Sequence, residues 1–70
     1  MDYIKLSIKE NFIKLDAAMK LAGIVSTGGH AKNVIQNSEV KVNGEICTMR
    51  GKKLYKGDKA EYNGQGFEIE

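Results

Sequence analysis

The first third of the chain changes from strand-like to helix-like hydrophobic spacing. Residues 3–8 alternate between apolar and polar side chains, which predicts a strand with one buried face formed by Ile4, Leu6 and Ile8. From Phe12 to Ala22 the apolar residues recur instead at intervals of three and four, with two lysines off that stripe. This spacing predicts an amphipathic helix that ends at Gly23.

A second helix is predicted from Ser26 or Thr27 to Asn37, because either hydroxyl can accept a hydrogen bond from the first helical turn. We expect Asn37 to adopt the left-handed conformation that ends this helix. At 100° per residue, the face opposite the apolar stripe is polar and lacks acidic residues. That face consists of Gly29, Lys32, Asn33 and Gln36.

The next segment predicts a hairpin. Residues 39–42 alternate as a strand, and Asn43-Gly44 is a strong signal for a two-residue turn, with a return strand from residue 45 to about residue 48. A strict two-residue turn would place Ile46 opposite Lys41 on the polar face. A bulge or a longer turn is the alternative that would correct this register.

The last third predicts a basic loop over residues 49–56, a turn at Gly57-Asp58, and two strands, 59–62 and 66–69, around an Asn63-Gly64 turn. The chain therefore runs from one strand through two helices to several strands. This order predicts an α+β fold in which a two-helix unit packs on a small, mostly antiparallel sheet.

Composition limits what so short a chain can do. Seventy residues suffice for one domain with a small core, so we expect a single domain over residues 1–70. Cys47 is the only cysteine and His30 the only histidine, which is too few for a disulfide or a zinc site, and we expect no metal and no cofactor. These features predict a cytoplasmic protein, and no segment is apolar for long enough to span a membrane.

The net charge of +2 is unevenly distributed. Residues 11–56 carry a net charge of +5, whereas the flanking segments together carry −3. A local excess of positive charge favours a polyanionic partner, although a solvated lysine-rich face has the same composition.

The Gly28-Gly29 pair does not belong to a nucleotide-binding loop. Gly23 and Gly28 have the spacing of a P-loop, but Gly29 stands where the lysine is required, and Gly64-Gln65-Gly66 lacks the third glycine of a dinucleotide motif. Two interpretations remain. Either the helix start binds a backbone phosphate through its free N–H groups, with Lys32 one turn away, or the glycines only form the turn between the helices.

The densest cationic run is Arg50-Gly51-Lys52-Lys53, closely followed by Lys56. Such a run suits the phosphates of a nucleic-acid backbone, and the alternative is an ordinary basic surface loop. Because no acid near His30 in the sequence could orient it as a base, we expect no catalytic residues and no enzymatic activity. The aromatic residues are expected in the core or half-buried in strands, too scattered to predict a base-stacking platform: Tyr3, Phe12, Tyr55, Tyr62 and Phe67.

Three motifs, "KLAGIVSTGGHAK", "VKVNG" and "RGKKLYKGD", follow one another within residues 13–58. In this order and spacing the segment resembles the S-four RNA-binding domain, named for the fourth small-subunit ribosomal protein, and in particular its stand-alone bacterial YaaA/YbcJ-like branch. The resemblance implies an alpha-L RNA-binding motif with residues 13–58 as its core. It further implies non-catalytic binding of structured RNA, ribosomal or transfer RNA, in ribosome assembly or translation.

The resemblance also implies which residues would face RNA. They are the start of the second helix, the basic loop and three further lysines: Thr27, Gly28, Gly29, Lys32, Asn33, Arg50, Lys52, Lys53, Lys14, Lys20 and Lys41. Three positions depart from the family pattern. Asn37-Ser38 stands where glycine usually ends the second helix, Met49 where a second basic residue is common, and His30 where the family often has an acidic or amide residue.

The expected partner is therefore structured RNA, the ribosome or its precursors, bound by a monomer without a membrane or a small-molecule substrate. The alternative hypothesis is a protein-interaction module that docks on a ribosomal or RNA-processing partner. Such a module should carry a contiguous apolar or aromatic patch, and the predicted helix surfaces carry none.

Overall fold

The computed structural model describes residues 3–70 and confirms the α+β class. Two helices pack on one face of a five-stranded sheet of order β1-β7-β6-β3-β4, and β2 and β5 pair separately as a short ribbon. Within the larger sheet β1 and β7 are parallel and the other pairs antiparallel. The elements are β1 (Tyr3–Leu6), β2 (Ile13–Lys14), α1 (Leu15–Leu21), α2 (Gly28–Gln36), β3 (Val40–Val42), β4 (Glu45–Ile46), β5 (Lys53–Leu54), β6 (Lys59–Tyr62) and β7 (Gln65–Ile69).

The core lies between the helices and the inner face of the sheet. Alternate residues of each long strand point into it, as a half-buried strand requires. Ile4 departs from this prediction, because it is 45% exposed although Leu6 on the same strand is buried. The largest fully buried side chains come from both helices, the ribbon and two strands of the larger sheet: Phe67, Leu15, Met19, Ile35, Leu54, Ile69 and Val40.

The first helix is shorter than its hydrophobic spacing predicts. It begins at Leu15 rather than Phe12, because Ile13 and Lys14 are extended and pair with Leu54 and Lys53 of β5. Residues 53–54 therefore form a strand inside the segment predicted as a basic loop. Apolar residues at positions 12, 13 and 15 satisfy a strand followed by a helix as well as a longer helix, so spacing alone does not separate the two.

Both helices end with the same pair of backbone hydrogen bonds. After α1, the N–H groups of Gly23 and Ile24 donate to the carbonyls of Lys20 and Met19, and Gly23 has the predicted positive φ of 77°. After α2, Ser38 and Glu39 donate in the same pattern. The prediction that Asn37 is left-handed is wrong: Asn37 has φ −83°, and Ser38 takes φ 62° instead.

Two Asn-Gly turns connect the antiparallel strands as predicted. In both turns the asparagine and the glycine have positive φ, the conformation that matches the twist of a two-residue hairpin. The first turn is strict, so Ile46 lies opposite Lys41 and remains 59% exposed. The alternative of a bulge that returns Ile46 to the core is therefore wrong.

We predict that Ser38→Gly stabilises the fold by about 1 kcal/mol. A left-handed residue with a Cβ costs roughly 1–2 kcal/mol, part of which is offset by the greater freedom of glycine in the unfolded chain. Chemical denaturation of the variant measures the gain. Asn37→Gly is the matched control, because its ordinary φ gives glycine no advantage there. A gain in the control equal to that of Ser38→Gly would contradict this explanation.

Candidate nucleic-acid interface

The N-terminus of α1 is held by the turn at residues 50–52 that follows the hairpin, called the basic turn below. Lys14 precedes the helix and provides no side-chain cap. Instead the N–H of Leu15 donates to the carbonyl of Lys52 at 2.8 Å, and the N–H of Asp16 donates to the carbonyl of Arg50 at 3.1 Å. Two of the N–H groups that a helix start leaves unpaired are thus satisfied by backbone from a distant turn. The turn is fixed by its carbonyls, which leaves its cationic side chains exposed.

The ribbon of β2 and β5 presents cations beside this turn. Lys14 and Lys53 are direct cross-strand partners, while Ile13 and Leu54, one position along, face the core. Side chains at neighbouring positions of a strand point to opposite faces, so the two lysines share the outer face. The structure therefore brings together Lys14, Arg50, Lys52 and Lys53, which the sequence places almost forty residues apart.

Among residues 3–70, none of these four cations has a carboxylate within ion-pair distance. The ion pair found in that part of the chain joins Lys5 to Glu68 instead. The acidic residue in the first turn of α1 is Asp16, whose Oδ1 accepts the N–H of Ala17 at 2.8 Å. The Lys53 ammonium lies 4.9 Å from the centre of the Phe12 ring. An uncompensated cluster of this kind attracts a polyanion.

The start of α2 is exposed and well defined. Thr27 rather than Ser26 is the cap, since its Oγ1 accepts the N–H of His30 at 3.0 Å. A Cβ added at Gly28 would meet no atom within 4 Å, and one at Gly29 would meet only Thr27 Oγ1 at 3.9 Å. The backbone here is open to a ligand on its outer side. Lys32 and Asn33 lie one turn further along, and both are exposed.

Two of the lysines that are predicted to face RNA, Lys20 and Lys41, lie apart from the basic turn. Lys20 is in the last turn of α1, about 9 Å along the helix axis from Lys14. Lys41 is exposed on β3 between two buried valines, so it lies on the outer face of the sheet. That face is partly neutralised, because Lys41 is the cross-strand partner of Glu61, and the hydrogen bond from Lys5 lowers the pKa of Glu68.

His30 and Cys47 both contact neighbouring residues of the fold. The His30 ring meets the Tyr62 ring edge-on with centres 6.1 Å apart, so it packs against the end of β6. Cys47 is half-buried against the core, and its thiol donates weakly to the Met49 carbonyl at 3.7 Å. Across residues 3–70, no three His, Cys, Asp or Glu side chains converge as metal ligands would.

Comparison with known proteins agrees with this architecture. The S4 domain family model matches residues 6–70. The chain belongs to the S4 domain family. The probable ribosome maturation protein RlbA of Bacillus subtilis (strain 168) is 43% identical to it over 61 residues, covering 87% of this chain and 86% of that protein. The solution structure of YbcJ from E. coli, described as having an alpha-L motif involved in RNA binding, superposes with a TM-score of 0.74 at 26% identity, covering 99% of this chain and 89% of that one.

One feature of this S4 domain is missed by sequence reasoning. Phe12 and Tyr55 continue the register of the ribbon and lie in contact, with ring centres 6.0 Å apart. Tyr55 is 49% exposed and follows β5 rather than lying within a strand, so it is more exposed than the expected core or half-buried strand position. No periodic signal marked this pair, because Phe-Ile-Lys at residues 12–14 does not alternate and each run is only three residues long.

Within the described part of the S4 domain, neither helix approaches the length and apolarity needed to cross a membrane.

We predict that Thr27→Ala destabilises the S4 domain by about 1 kcal/mol, because it removes the acceptor for the His30 N–H. Ser26→Ala is the matched control, since Ser26 is exposed and precedes the cap. Thermal and chemical denaturation of both variants measure the difference. Equal effects at the two positions would show that the Thr27 hydroxyl does not cap α2.

Proposed function

We propose that this S4 domain binds structured RNA, ribosomal or transfer RNA, and acts in ribosome maturation or translation without catalysing a reaction. The observation that supports it best is the uncompensated surface around the start of α1. There Lys14, Arg50, Lys52 and Lys53 are gathered by backbone hydrogen bonds and strand pairing. We further propose that the S4 domain acts in the cytoplasm and as a monomer.

The chemistry of this surface favours the backbone of a folded RNA. Exposed lysines and one arginine bind phosphate oxygens without reading sequence, and Arg50 alone can make a forked contact to phosphate. A rigid arrangement of such cations selects the shape of the phosphate chain, which is how proteins recognise most double-stranded RNA. No cofactor or metal is needed for contacts of this kind.

The open start of α2 is the second part of the proposed interface. Its exposed N–H groups carry the positive end of the helix dipole, and Lys32 lies one turn along. α1 joins the two parts, because it packs against α2 and its own N-terminus receives the basic turn. We therefore propose RNA contacts for Thr27, Gly28, Gly29, Lys32 and Asn33 beside those of the basic turn, with Lys20 between them.

The relatives support the same proposal. RlbA is described as a probable ribosome maturation protein, and the alpha-L motif of YbcJ as involved in RNA binding. Both match nearly all of this chain, so the shared region includes the basic turn and the start of α2.

Docking on a protein is the second candidate function, and one observation favours it. Ile46 and Met49 are 59% and 63% exposed and line one groove together with Cys47. Exposed apolar side chains around a groove suit a protein partner better than a phosphate backbone. Failure of the charge variant below to affect binding to RNA would favour this candidate.

We predict that replacing Arg50, Lys52 and Lys53 together by alanine weakens binding to structured RNA and flattens its salt dependence. Each lost phosphate contact lowers the slope of log K against log salt by about 0.7–0.9, so the triple variant should lose about 2 to 3. Titration of a ribosomal RNA fragment at several salt concentrations measures both quantities.

The matched control removes the same charge from the outer face of the sheet, through Lys5, Lys41 and Lys59 changed to alanine. We expect this variant to keep most of the affinity for RNA. It also tests whether Lys41 contacts RNA. If the control weakens binding as much as the first variant, net charge rather than the basic turn determines binding, and the proposed interface is wrong.

We predict that Gly28→Ala with Gly29→Ala leaves the fold at least as stable and weakens RNA binding several-fold. The space around both positions accepts a methyl group, and alanine favours a helix over glycine. The added methyl groups would instead hold a phosphate away from the N–H groups. Unchanged affinity in the double variant would mean that the glycines only form the turn between the helices.

A further inference from the structure

We infer that the Phe12–Tyr55 pair is a stacking platform for an unpaired RNA base. The inference rests on the proposed RNA-binding function and adds to it a feature of the ligand. The phosphate-binding surface alone would accept any folded RNA, whereas a platform beside it favours RNA with a bulged, looped or terminal nucleotide.

The platform follows from the register of the ribbon. Because Ile13 pairs with Leu54, and Lys14 with Lys53, the next pair in register is Phe12 with Tyr55. These two aromatic residues and the two lysines all lie on the outer face, since Leu54 is buried and Ile13 packs against the core. The ring centres are 6.0 Å apart and the planes are tilted by 50°. On this face, one end of the ribbon is therefore aromatic and the other end cationic.

Tyr55 is both exposed and firmly held, which is what a stacking residue requires. Its N–H donates to Asp58 Oδ2 at 2.7 Å, and its carbonyl accepts the N–H of Asp58 at 2.9 Å. The other oxygen of Asp58 accepts from the Asn43 side chain at 3.1 Å, which ties this turn to the hairpin. With its backbone fixed, Tyr55 keeps about half of its side chain exposed at 49%. The backbone of Tyr55 therefore needs no reordering when a base stacks on the ring.

The surroundings of the ring suit a nucleotide. The Lys53 ammonium lies over Phe12, on the side of the ribbon where Lys14 also stands. Tyr55 also lines a shallow groove with Glu10, Asn11 and two lysines, Lys9 and Lys56. A base on the ring would thus have cations for its phosphates, and carboxylate and amide groups for its hydrogen-bonding edge. An acidic peptide would use the cations but not the flat ring face.

The test compares two RNA hairpins that differ in one base pair. The first has a single bulged 2-aminopurine in its stem, and the second has an added uridine that pairs with this base. We expect Tyr55→Ala to weaken binding of the bulged hairpin by about 5- to 100-fold and to leave the paired hairpin within about twofold. Wild-type protein should also quench the fluorescence of the bulged base.

Two further variants separate stacking from packing. Tyr55→Phe keeps the ring and should bind the bulged hairpin like the wild type. Tyr55→Leu keeps an apolar contact with Phe12 but offers no ring, and should bind like Tyr55→Ala. Full binding by Tyr55→Leu, or an equal loss on both hairpins with Tyr55→Ala, would overturn the stacking platform.

The experiment also distinguishes this inference from the proposed function. If wild-type protein binds both hairpins equally and Tyr55→Ala changes neither affinity, RNA binding stands and the platform alone is overturned. If wild-type protein binds neither hairpin nor the ribosomal RNA fragment, the proposed function fails and the platform fails with it. Binding of an acidic peptide that depends on Tyr55, without preference for the bulged hairpin, would assign the ring to a protein partner and also overturn it.

Discussion

The start of α1 depends on a turn that the chain forms much later. A helix start exposes N–H groups that need acceptors, and here Lys14 offers none from its side chain. The carbonyls of Arg50 and Lys52 supply them, and β2 pairs with β5 immediately beside this contact. One set of backbone hydrogen bonds therefore completes the helix, closes the ribbon and aligns the cations. Fold and proposed function share the same residues but use different atoms of them, because the carbonyls complete the helix while the side chains are left free for RNA.

Local signals in the sequence were enough for most of the fold. The Asn43-Gly44 and Asn63-Gly64 turns, the Gly23 helix stop and the strand at 59–62 depend on residues close together in the chain, and all are confirmed. The ribbon was missed because two-residue strands have no periodicity to detect. The parallel pairing of β1 with β7 was also not predictable, since nothing in either strand specifies so distant a partner.

Most residues of the candidate site could be predicted from the sequence, but their arrangement in space could not. The resemblance to the family identified the basic run and the start of the second helix, and the structure leaves both exposed. Spacing could not show that Lys14 joins the basic run, or that Lys41 faces the other way on β3. It also assigned Phe12 to a helix face, which concealed its contact with Tyr55. Long-range backbone pairing decides each of these cases.

The parallel pair of β1 and β7 has a consequence for how the protein is made. The first strand is synthesised early, but its partner, Gln65–Ile69, comes at the opposite end of the described chain. Until residue 69 has left the ribosome, β1 exposes an unpaired edge and Leu6 has no strand to cover it. Contacts between such distant residues slow folding, because a long loop must close before they form. The five-stranded sheet therefore closes only once β7 has left the ribosome, and before that the nascent chain can form no more than its helices and its earlier strand pairs.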